Sequence, residues 1–270
     1  MKKWISLVFI ISIIIISFSE KLIIKGSNTI FPIAQLWIEE LKNLEITLEG
    51  AGSSTGIAAL FSGTTDIANS SRFLKNKEIK KMNEEGKYFA PIIIAYDGIA
   101  IIVNPKLHID NISLEILKSI YTGKFKTWNQ INTSLPKKRI VAYSRNTASG
   151  TFETFENIVL NGERMDPSVK MVESTQFEIE QVAKNPYAIA YVGVGYVNDS
   201  VKVLKVENTE PTKLNILKSI YPISRPLYMF IDVTNGWPES GILKEYITFG
   251  LSKKGQELVE KAGYIAAYGF

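Results

Sequence analysis

The chain has 270 residues, of which 46% are hydrophobic and 21% charged, and it contains no cysteine. Enough apolar side chains are present for one large or two medium α/β domains, whereas disulfides and thiolate chemistry are excluded. The formal net charge of +4 at pH 7 is small, so the composition does not indicate a nucleic-acid partner.

Residues 1–19 are typical of a secretory signal peptide. Lys2 and Lys3 precede an apolar block over residues 4–18, and serines occupy the −3 and −1 positions of a cut after Ser19. We therefore predict a periplasmic mature protein, whose net charge falls from +4 to +2 because both lysines leave and no acid leaves with them. An uncleaved anchor that keeps the protein at the membrane is the alternative, although the block is shorter than the roughly 20 residues of a comfortable span.

After this segment, short β-branched runs alternate with helical patterns, which favours open, doubly wound α/β sheets over a sandwich or a bundle. We predict strands over residues 22–24, 46–48, 67–69, 91–104, 140–142, 188–192, 201–206 and 227–232. Helical patterns lie over residues 33–42, 57–61, 78–85, 114–122, 151–160, 178–184, 240–249 and 253–261. The sequence shows no internal repeat, heptad array or low-complexity tract.

Three segments, over residues 26–32, 50–56 and 144–155, repeat one arrangement: a strand, a turn rich in small and hydroxyl residues, and a helix. A helix start presents unpaired N–H groups and the positive end of the helix dipole, so an anion binds there readily. One such turn alone would be an ordinary Ser/Thr cap. Three that converge indicate a polar ligand site without a metal, and Arg145 in the third turn adds a guanidinium.

The run over residues 92–103 is too long for an average strand and contains Asp97-Gly98, so we predict that it passes between two domains near Gly98. A second crossing is predicted at residues 221–226, where two prolines frame a stiff, extended link. The predicted units are lobe I over residues 20–96 and 224–270, and lobe II over residues 97–223. Ligands of such sheets bind in the cleft between the lobes.

Several segments resemble the substrate-binding protein of bacterial phosphate ABC importers. They lie at residues 26–32, 52–56, 66–72, 121–128 and 145–151, and the likeness extends to 188–193 and 251–256. The resemblance implies an α/β class II periplasmic binding protein fold, with two doubly wound lobes joined by two crossover segments. It implies a binding protein without catalysis that closes on dehydrated inorganic phosphate and delivers it to an ABC importer membrane permease. We expect a monomer with no cofactor and no metal.

Position by position, the resemblance implies ligand contacts at Asn28, Thr29, Ser53, Arg145, Ser149, Gly150 and Thr151. The sequence departs from the family at Asn28, where threonine is more usual. Ser71 stands where some relatives have an aspartate that accepts the proton of hydrogen phosphate, and a serine brings no negative charge. We therefore predict that Asp97, an acid in an apolar segment, accepts this proton. A turn cap beside Gly98 is the alternative for Asp97, and Ser71 remains a candidate contact.

Other functions stay open at this point. A binding protein for sulfate, molybdate or tungstate would use the same donors, and a phosphatase-like hydrolase would use a serine nucleophile near a cation. His108 is the single histidine and has no acid or nucleophile at a suggestive spacing, which disfavours the hydrolase. A buried acid would discriminate between the anions, because sulfate is fully deprotonated at neutral pH while hydrogen phosphate offers a proton.

Three further residues are expected outside the ligand contacts. Arg72 and Lys124 are predicted at the rim of the cleft, where their charge would speed anion capture while staying too solvated to set affinity. Trp128 is predicted in the packed interior of a lobe, because phosphate offers no apolar face on which an indole could stack.

Overall fold

A computed structural model describes residues 20–269, and the predicted signal peptide over residues 1–19 lies outside them. The strands are β1 Lys21–Gly26, β2 Glu45–Gly50, β3 Ile67–Ser70, β4 Phe89–Val103, β5 Asn111–Ile112, β6 Val141–Arg145, β7 Lys170–Val172, β8 Ala188–Gly193, β9 Lys202–Val206, β10 Ser224–Asp232 and β11 Ile265–Ala266. The helices are α1 Phe31–Glu40, α2 Ser53–Phe61, α3 Asn76–Glu84, α4 Leu114–Tyr121, α5 Gly150–Phe155, α6 Thr175–Lys184, α7 Lys213–Leu217, α8 Gly241–Leu251 and α9 Lys253–Lys261. A π-helical turn, Glu156–Leu160, continues α5.

Strand β4 belongs to two sheets. Its first part pairs with β10 as far as Gly98, and from Ile99 onward it pairs with β8. The first sheet has the order β2-β1-β3-β10-β4, with β11 also on β4, and it forms lobe I. The second sheet continues from β4 through β8 and β6 to β7, with β9 also on β4 and β5 on β9, and it forms lobe II. The predicted two-lobed α/β fold is confirmed.

Two chain segments cross between the lobes, and they are bonded to each other. The first is β4 at Gly98–Ile99, and the second is the turn at Pro222–Ile223 that leads directly into β10. Ile99 N donates to Ile223 O at 2.8 Å, and Tyr221 Oη donates to Ile99 O at 2.8 Å. The second link is therefore a turn rather than the extended segment predicted from the prolines. The exact lobe boundaries, 20–96, 97–223 and 224–270, stay a prediction.

Each lobe buries its own apolar core. The core of lobe I includes Leu22, Ile24, Trp37, Met229 and Tyr246, and that of lobe II includes Ile101, Leu117, Trp128, Phe155 and Tyr191. Trp128 is fully buried, as predicted, and its Nε1 donates to Tyr187 O at 3.1 Å. Full burial of one large apolar side chain contributes about 1.5–3 kcal/mol, so these cores fix the frame on which the polar turns are held.

All eight predicted strands and all eight predicted helical patterns occur, with their ends shifted by a few residues. The sequence missed β5, β7 and β11, because strands of two or three residues carry no measurable periodicity. It also missed α7, which has five residues. Over residues 20–269, no helix combines the length and the apolar run that crossing a bilayer requires.

Candidate functional site

The three helix-start turns, which precede α1, α2 and α5, meet between the lobes as predicted. Thr29 Oγ1 of the first turn lies 2.9 Å from Thr151 Oγ1 at the start of α5. Ser54 N, at the start of α2, donates to Ala148 O at 3.0 Å. Both threonines are 2% exposed. The turns thus form one buried, hydroxyl-rich junction whose members come from distant parts of the sequence.

Two glycines allow this close approach. Gly26 has a φ of 133°, and a Cβ there would lie 2.1 Å from Asn69 O on the neighbouring strand. Gly52 has a φ of 99°, and a Cβ there would lie 2.6 Å from Ala148 O across the junction. A larger residue would be strained at both positions; at Gly26 it would push β1 away from β3, and at Gly52 it would push the second turn away from the third. The glycines of the sequence pattern are therefore required by the geometry of the junction.

Ser53, Ser71 and Gly150 form a second contact within the junction. Ser53 Oγ accepts a hydrogen bond from Ser71 N at 3.0 Å and lies 3.3 Å from Ser71 Oγ. Both serines are fully buried. A Cβ on Gly150 would lie 2.5 Å from Ser53 Oγ and 2.6 Å from Ser71 Oγ, so any side chain there would displace the two serine hydroxyls. The structure therefore brings together three of the predicted contact residues from both lobes.

Ser149 and Asn28 lie at the same junction, and their hydrogen bonds in the structure are made with other residues of the chain. Ser149 Oγ accepts from Thr151 N at 3.2 Å and from Phe152 N at 3.3 Å, which caps α5. Because its oxygen accepts these bonds, its hydroxyl proton can be donated elsewhere. The backbone oxygen of Asn28 accepts from Tyr196 Oη at 2.7 Å. Contacts of either side chain with a ligand stay a prediction.

Arg145 carries a buried positive charge. It is 2% exposed, and it ends β6 just ahead of the third turn. Nη1 donates to Thr175 Oγ1 at 2.8 Å, and Nη2 donates to Glu173 O at 2.5 Å. Nε has no hydrogen-bond partner among residues 20–269. Burial lowers the pKa of Arg145, and the nearby charge of Glu178 opposes that shift. Only neutral oxygens therefore hold this guanidinium.

Asp97 is fully buried in the middle of β4, so its alternative reading as a turn cap is wrong. Its Oδ1 accepts from Val194 N at 3.0 Å. Its Oδ2 accepts from Arg225 Nε at 3.0 Å and from Arg225 Nη2 at 2.8 Å. Burial raises the pKa of Asp97, while the Arg225 guanidinium and the Val194 N–H oppose that shift. The acid that seemed out of place in the sequence thus has a protein partner.

Arg225 is the residue at this junction that sequence reasoning missed. It is 6% exposed, and besides Asp97 it reaches Thr151, whose Oγ1 lies 2.9 Å from Nη2. Arginine only donates, so Thr151 Oγ1 accepts here and keeps its single proton for Thr29 or a ligand. One feature of the sequence could have indicated this pair: Asp97 lies at the first predicted crossing and Arg225 at the second, 128 residues later.

Arg72 was predicted at the solvated rim, and this is wrong. It is 6% exposed, and its two Nη atoms each donate to Glu78 at 2.8 Å. Its Nε lies 2.8 Å from Glu153 Oε2, and Lys75 Nζ lies 2.6 Å from the same oxygen. Because Glu153 belongs to α5, these ion pairs join lobe I to lobe II. Lys124, by contrast, is exposed and pairs with Glu163 at 3.3 Å.

The donors at this junction suit an oxyanion. They comprise hydroxyl groups and N–H groups at helix starts, and Arg145, whose hydrogen-bond partners are neutral, ends the strand that leads into the third turn. No group of three His, Cys, Asp or Glu side chains that could hold a metal occurs within residues 20–269. His108 is exposed and lies in a different part of the chain from the turns.

Comparison with known proteins identifies a family and a similar protein. Residues 18–254 match the family model of the PBP superfamily domain. The chain is 32% identical over 255 residues to the phosphate-binding protein PstS of Staphylococcus aureus strain USA300, an alignment that covers 90% of this chain and 77% of that protein.

Solved structures of phosphate-transport proteins also resemble this chain. A crystal structure reported for a phosphate ABC transporter substrate-binding protein of Clostridium perfringens, with bound phosphate, matches with a TM-score of 0.83 and 32% identity. It covers 92% of this chain and 100% of that one. An ABC-type phosphate transport receptor from Vibrio cholerae matches with a TM-score of 0.72 and 28% identity, over 90% of this chain and 99% of that one.

Proposed function

The chain belongs to the PstS family of phosphate-binding proteins within the PBP superfamily, and from this membership we propose that it binds inorganic phosphate in the cleft between lobes I and II. The proposed contacts are Asn28, Thr29, Ser53, Ser71, Asp97, Arg145, Ser149, Gly150 and Thr151. The single observation that carries the proposal is the meeting of three helix-start turns, the third of which follows directly on Arg145, a buried arginine whose hydrogen-bond partners are neutral.

The donor set matches the chemistry of a phosphate dianion. Hydroxyl and backbone N–H groups supply most of the hydrogen bonds, and Arg145 supplies a full positive charge. Such an arrangement avoids placing several like charges in a closed cleft, where each unpaired ion would cost several kcal/mol. A micromolar dissociation constant requires about 8 kcal/mol, which this number of donors can supply after the cost of ordering is met.

Asp97 is the proposed acceptor for the proton of hydrogen phosphate. It receives three N–H donors, whereas a carboxylate offers about four lone-pair sites, so one site remains. A Cβ on Gly193 would lie 3.2 Å from both Asp97 oxygens and 3.0 Å from Thr29 Cγ2. Gly193 therefore lies next to both the Asp97 carboxylate and Thr29, a proposed ligand contact. Ser71, as a hydroxyl, is the alternative acceptor.

We further propose that the protein is exported and passes phosphate to the membrane permease of an ABC importer. The signal-like residues 1–19 and the names of the relatives support this proposal. We propose a monomer that acts by binding alone. The buried serines of the junction contact one another or backbone N–H groups, and the single histidine is exposed, so none of these serines is hydrogen-bonded to a histidine.

Calorimetric titration of residues 20–270 with phosphate, arsenate, sulfate and molybdate tests the proposal directly. Phosphate and arsenate should bind with micromolar affinity or better, and sulfate should bind much more weakly because it brings no proton for the acceptor. Small-angle scattering should show a smaller radius of gyration with phosphate, because the lobes close on it. Absence of phosphate binding would contradict the proposal, and tighter binding of sulfate or molybdate would reassign the ligand.

A further inference from the structure

A 3₁₀ turn, Val194–Tyr196, directly follows β8 in lobe II. Its two end residues are hydrogen-bonded to two of the proposed phosphate contacts. Val194 N donates to Asp97 Oδ1 at 3.0 Å, and Tyr196 Oη donates to the backbone oxygen of Asn28 at 2.7 Å. Asn28 belongs to the first helix-start turn, which precedes α1 in lobe I. The 3₁₀ turn contains no proposed phosphate contact, yet it holds two separate parts of the site.

Gly195, the middle residue of this turn, allows the turn to lie against lobe I. A Cβ on Gly195 would lie 2.1 Å from Tyr264 Cε2, and a Cβ on Gly263 would lie 3.0 Å from the Cα of Gly195. Tyr264 is buried and packs in the core of lobe I. The turn therefore has little room to shift, and Tyr196 reaches the first helix-start turn from a confined backbone.

The bond from Tyr196 helps to hold the peptide group between Asn28 and Thr29. Thr29 N donates to Ser27 Oγ at 3.2 Å. Asn28 O accepts a second bond, from Phe31 N at 3.2 Å. Because a peptide group is planar and trans, its C=O and its N–H point in opposite directions. This group is therefore held from both sides, and it carries Thr29, whose Oγ1 is a proposed phosphate contact at the junction.

The bond from Tyr196 is the shorter of the two that Asn28 O accepts. A backbone carbonyl oxygen only accepts, so the phenol donates. Burial raises the pKa of Tyr196 to about 12, although the charge of Arg145 opposes that shift, and the phenol therefore keeps its proton at neutral pH. Without this phenol, Asn28 O would keep only the longer bond from Phe31 N, and the peptide group would be held less firmly.

We infer that Tyr196 is a positioning residue of the phosphate site: it fixes the peptide group between Asn28 and Thr29, and thereby the place of Thr29 Oγ1. This inference rests on the proposed function, in which Thr29 Oγ1 contacts the phosphate. The same turn holds Asp97 through Val194 N, so one short segment sets the positions of a proposed donor and of the proposed proton acceptor. Loss of the phenol should weaken phosphate binding without unfolding the protein.

The first test compares the wild-type protein with Tyr196→Phe and with the control Tyr121→Phe. The Tyr121 phenol also donates to a backbone oxygen, that of Tyr143 at 3.1 Å, and this bond lies within lobe II. Calorimetric titration with phosphate should show a dissociation constant about fivefold higher in Tyr196→Phe and within about twofold of wild type in Tyr121→Phe. Chemical denaturation should show that Tyr121→Phe is destabilised at least as much as Tyr196→Phe. An equal loss of affinity in both variants would overturn the inference.

A double-mutant cycle with Thr29→Val gives a readout that a merely structural role would not change. This substitution removes the hydroxyl and keeps the shape of the side chain. When Thr29→Val is present, Tyr196→Phe should change the dissociation constant by less than about twofold, because no hydroxyl remains to be positioned. The same fivefold loss with and without Thr29→Val, or unchanged affinity in Tyr196→Phe, would overturn the inference alone. Absence of any phosphate binding by the wild type would overturn the proposed function as well.

Discussion

Two buried arginines lie close to the same junction, and they are held in opposite ways. Arg225 donates twice to the carboxylate of Asp97, so its charge is neutralised inside the protein. Arg145 donates only to a threonine hydroxyl and a backbone carbonyl, and its Nε lacks a hydrogen-bond partner within the described residues. Burial and charge alone therefore do not identify an anion site. The hydrogen-bond partners differ: an acid neutralises Arg225, whereas the partners of Arg145, a proposed ligand contact, are neutral.

The largest expected effect on stability comes from breaking the ion pair between Asp97 and Arg225. Asp97→Asn leaves Arg225 buried without its counter-ion, so we expect the free energy of unfolding to fall by about 3–5 kcal/mol. Chemical denaturation measures this change, with exposed Asp199→Asn as the control. A loss below 1 kcal/mol would show that the pair is not structural.

The same variant tests whether Asp97 also accepts the proton of hydrogen phosphate. In that case the phosphate affinity should fall by roughly 2 kcal/mol or more, while sulfate binding stays unchanged or improves, because only phosphate donates to the carboxylate. Both anions are titrated in one buffer under conditions where the variant is folded. An unchanged ratio of the two affinities would leave Asp97 as a partner of Arg225 only.

The variant Arg145→Ala tests the second buried arginine, which has no acidic hydrogen-bond partner. We expect phosphate binding to weaken at least tenfold, or about 1.4 kcal/mol, because the charge that faces the ligand is lost. Arg145→Lys should recover only part of the affinity, since an ammonium cannot reproduce the planar fork of a guanidinium. Exposed Arg139→Ala is the matched control. Wild-type affinity in Arg145→Ala would remove this residue from the site.

The smallest expected effect concerns the ion pairs of Glu153 with Arg72 and Lys75, which join the lobes. Glu153→Gln should raise the dissociation rate of phosphate roughly threefold to fivefold and leave the association rate nearly unchanged, because the pairs hold one lobe against the other and their loss should ease opening. Stopped-flow kinetics measures both rates, and Glu156→Gln is a nearby control. A changed association rate with an unchanged dissociation rate would contradict this role in closure.

The sequence predicted the junction well because its signals are local. Each helix-start turn is a short pattern of glycines and hydroxyl residues next to a strand, and its backbone geometry follows from those few residues. The long apolar run of β4 likewise identified the crossing at Gly98. These features depend on neighbours in the chain, which a single sequence displays.

The charged partners could not be predicted in the same way. Arg225 and Asp97 are 128 residues apart, and the sequence does not show that two strands bring them together. Arg72 appeared to be a surface residue because nothing in its neighbourhood indicates that Glu153 closes over it from the other lobe.

The shared strand β4 has a consequence for how the polypeptide can be divided. Both crossings are buried, since Ile99, Tyr221 and Ile223 are at most 1% exposed, and the crossings are hydrogen-bonded to each other. Residues 217–220, just before the second crossing, are exposed, but a truncation at either crossing would leave one sheet with an unpaired edge. The lobes are thus not separable modules. Neither can be excised as a self-sufficient fragment, and any duplication or exchange of a lobe in evolution would have had to carry β4 with it.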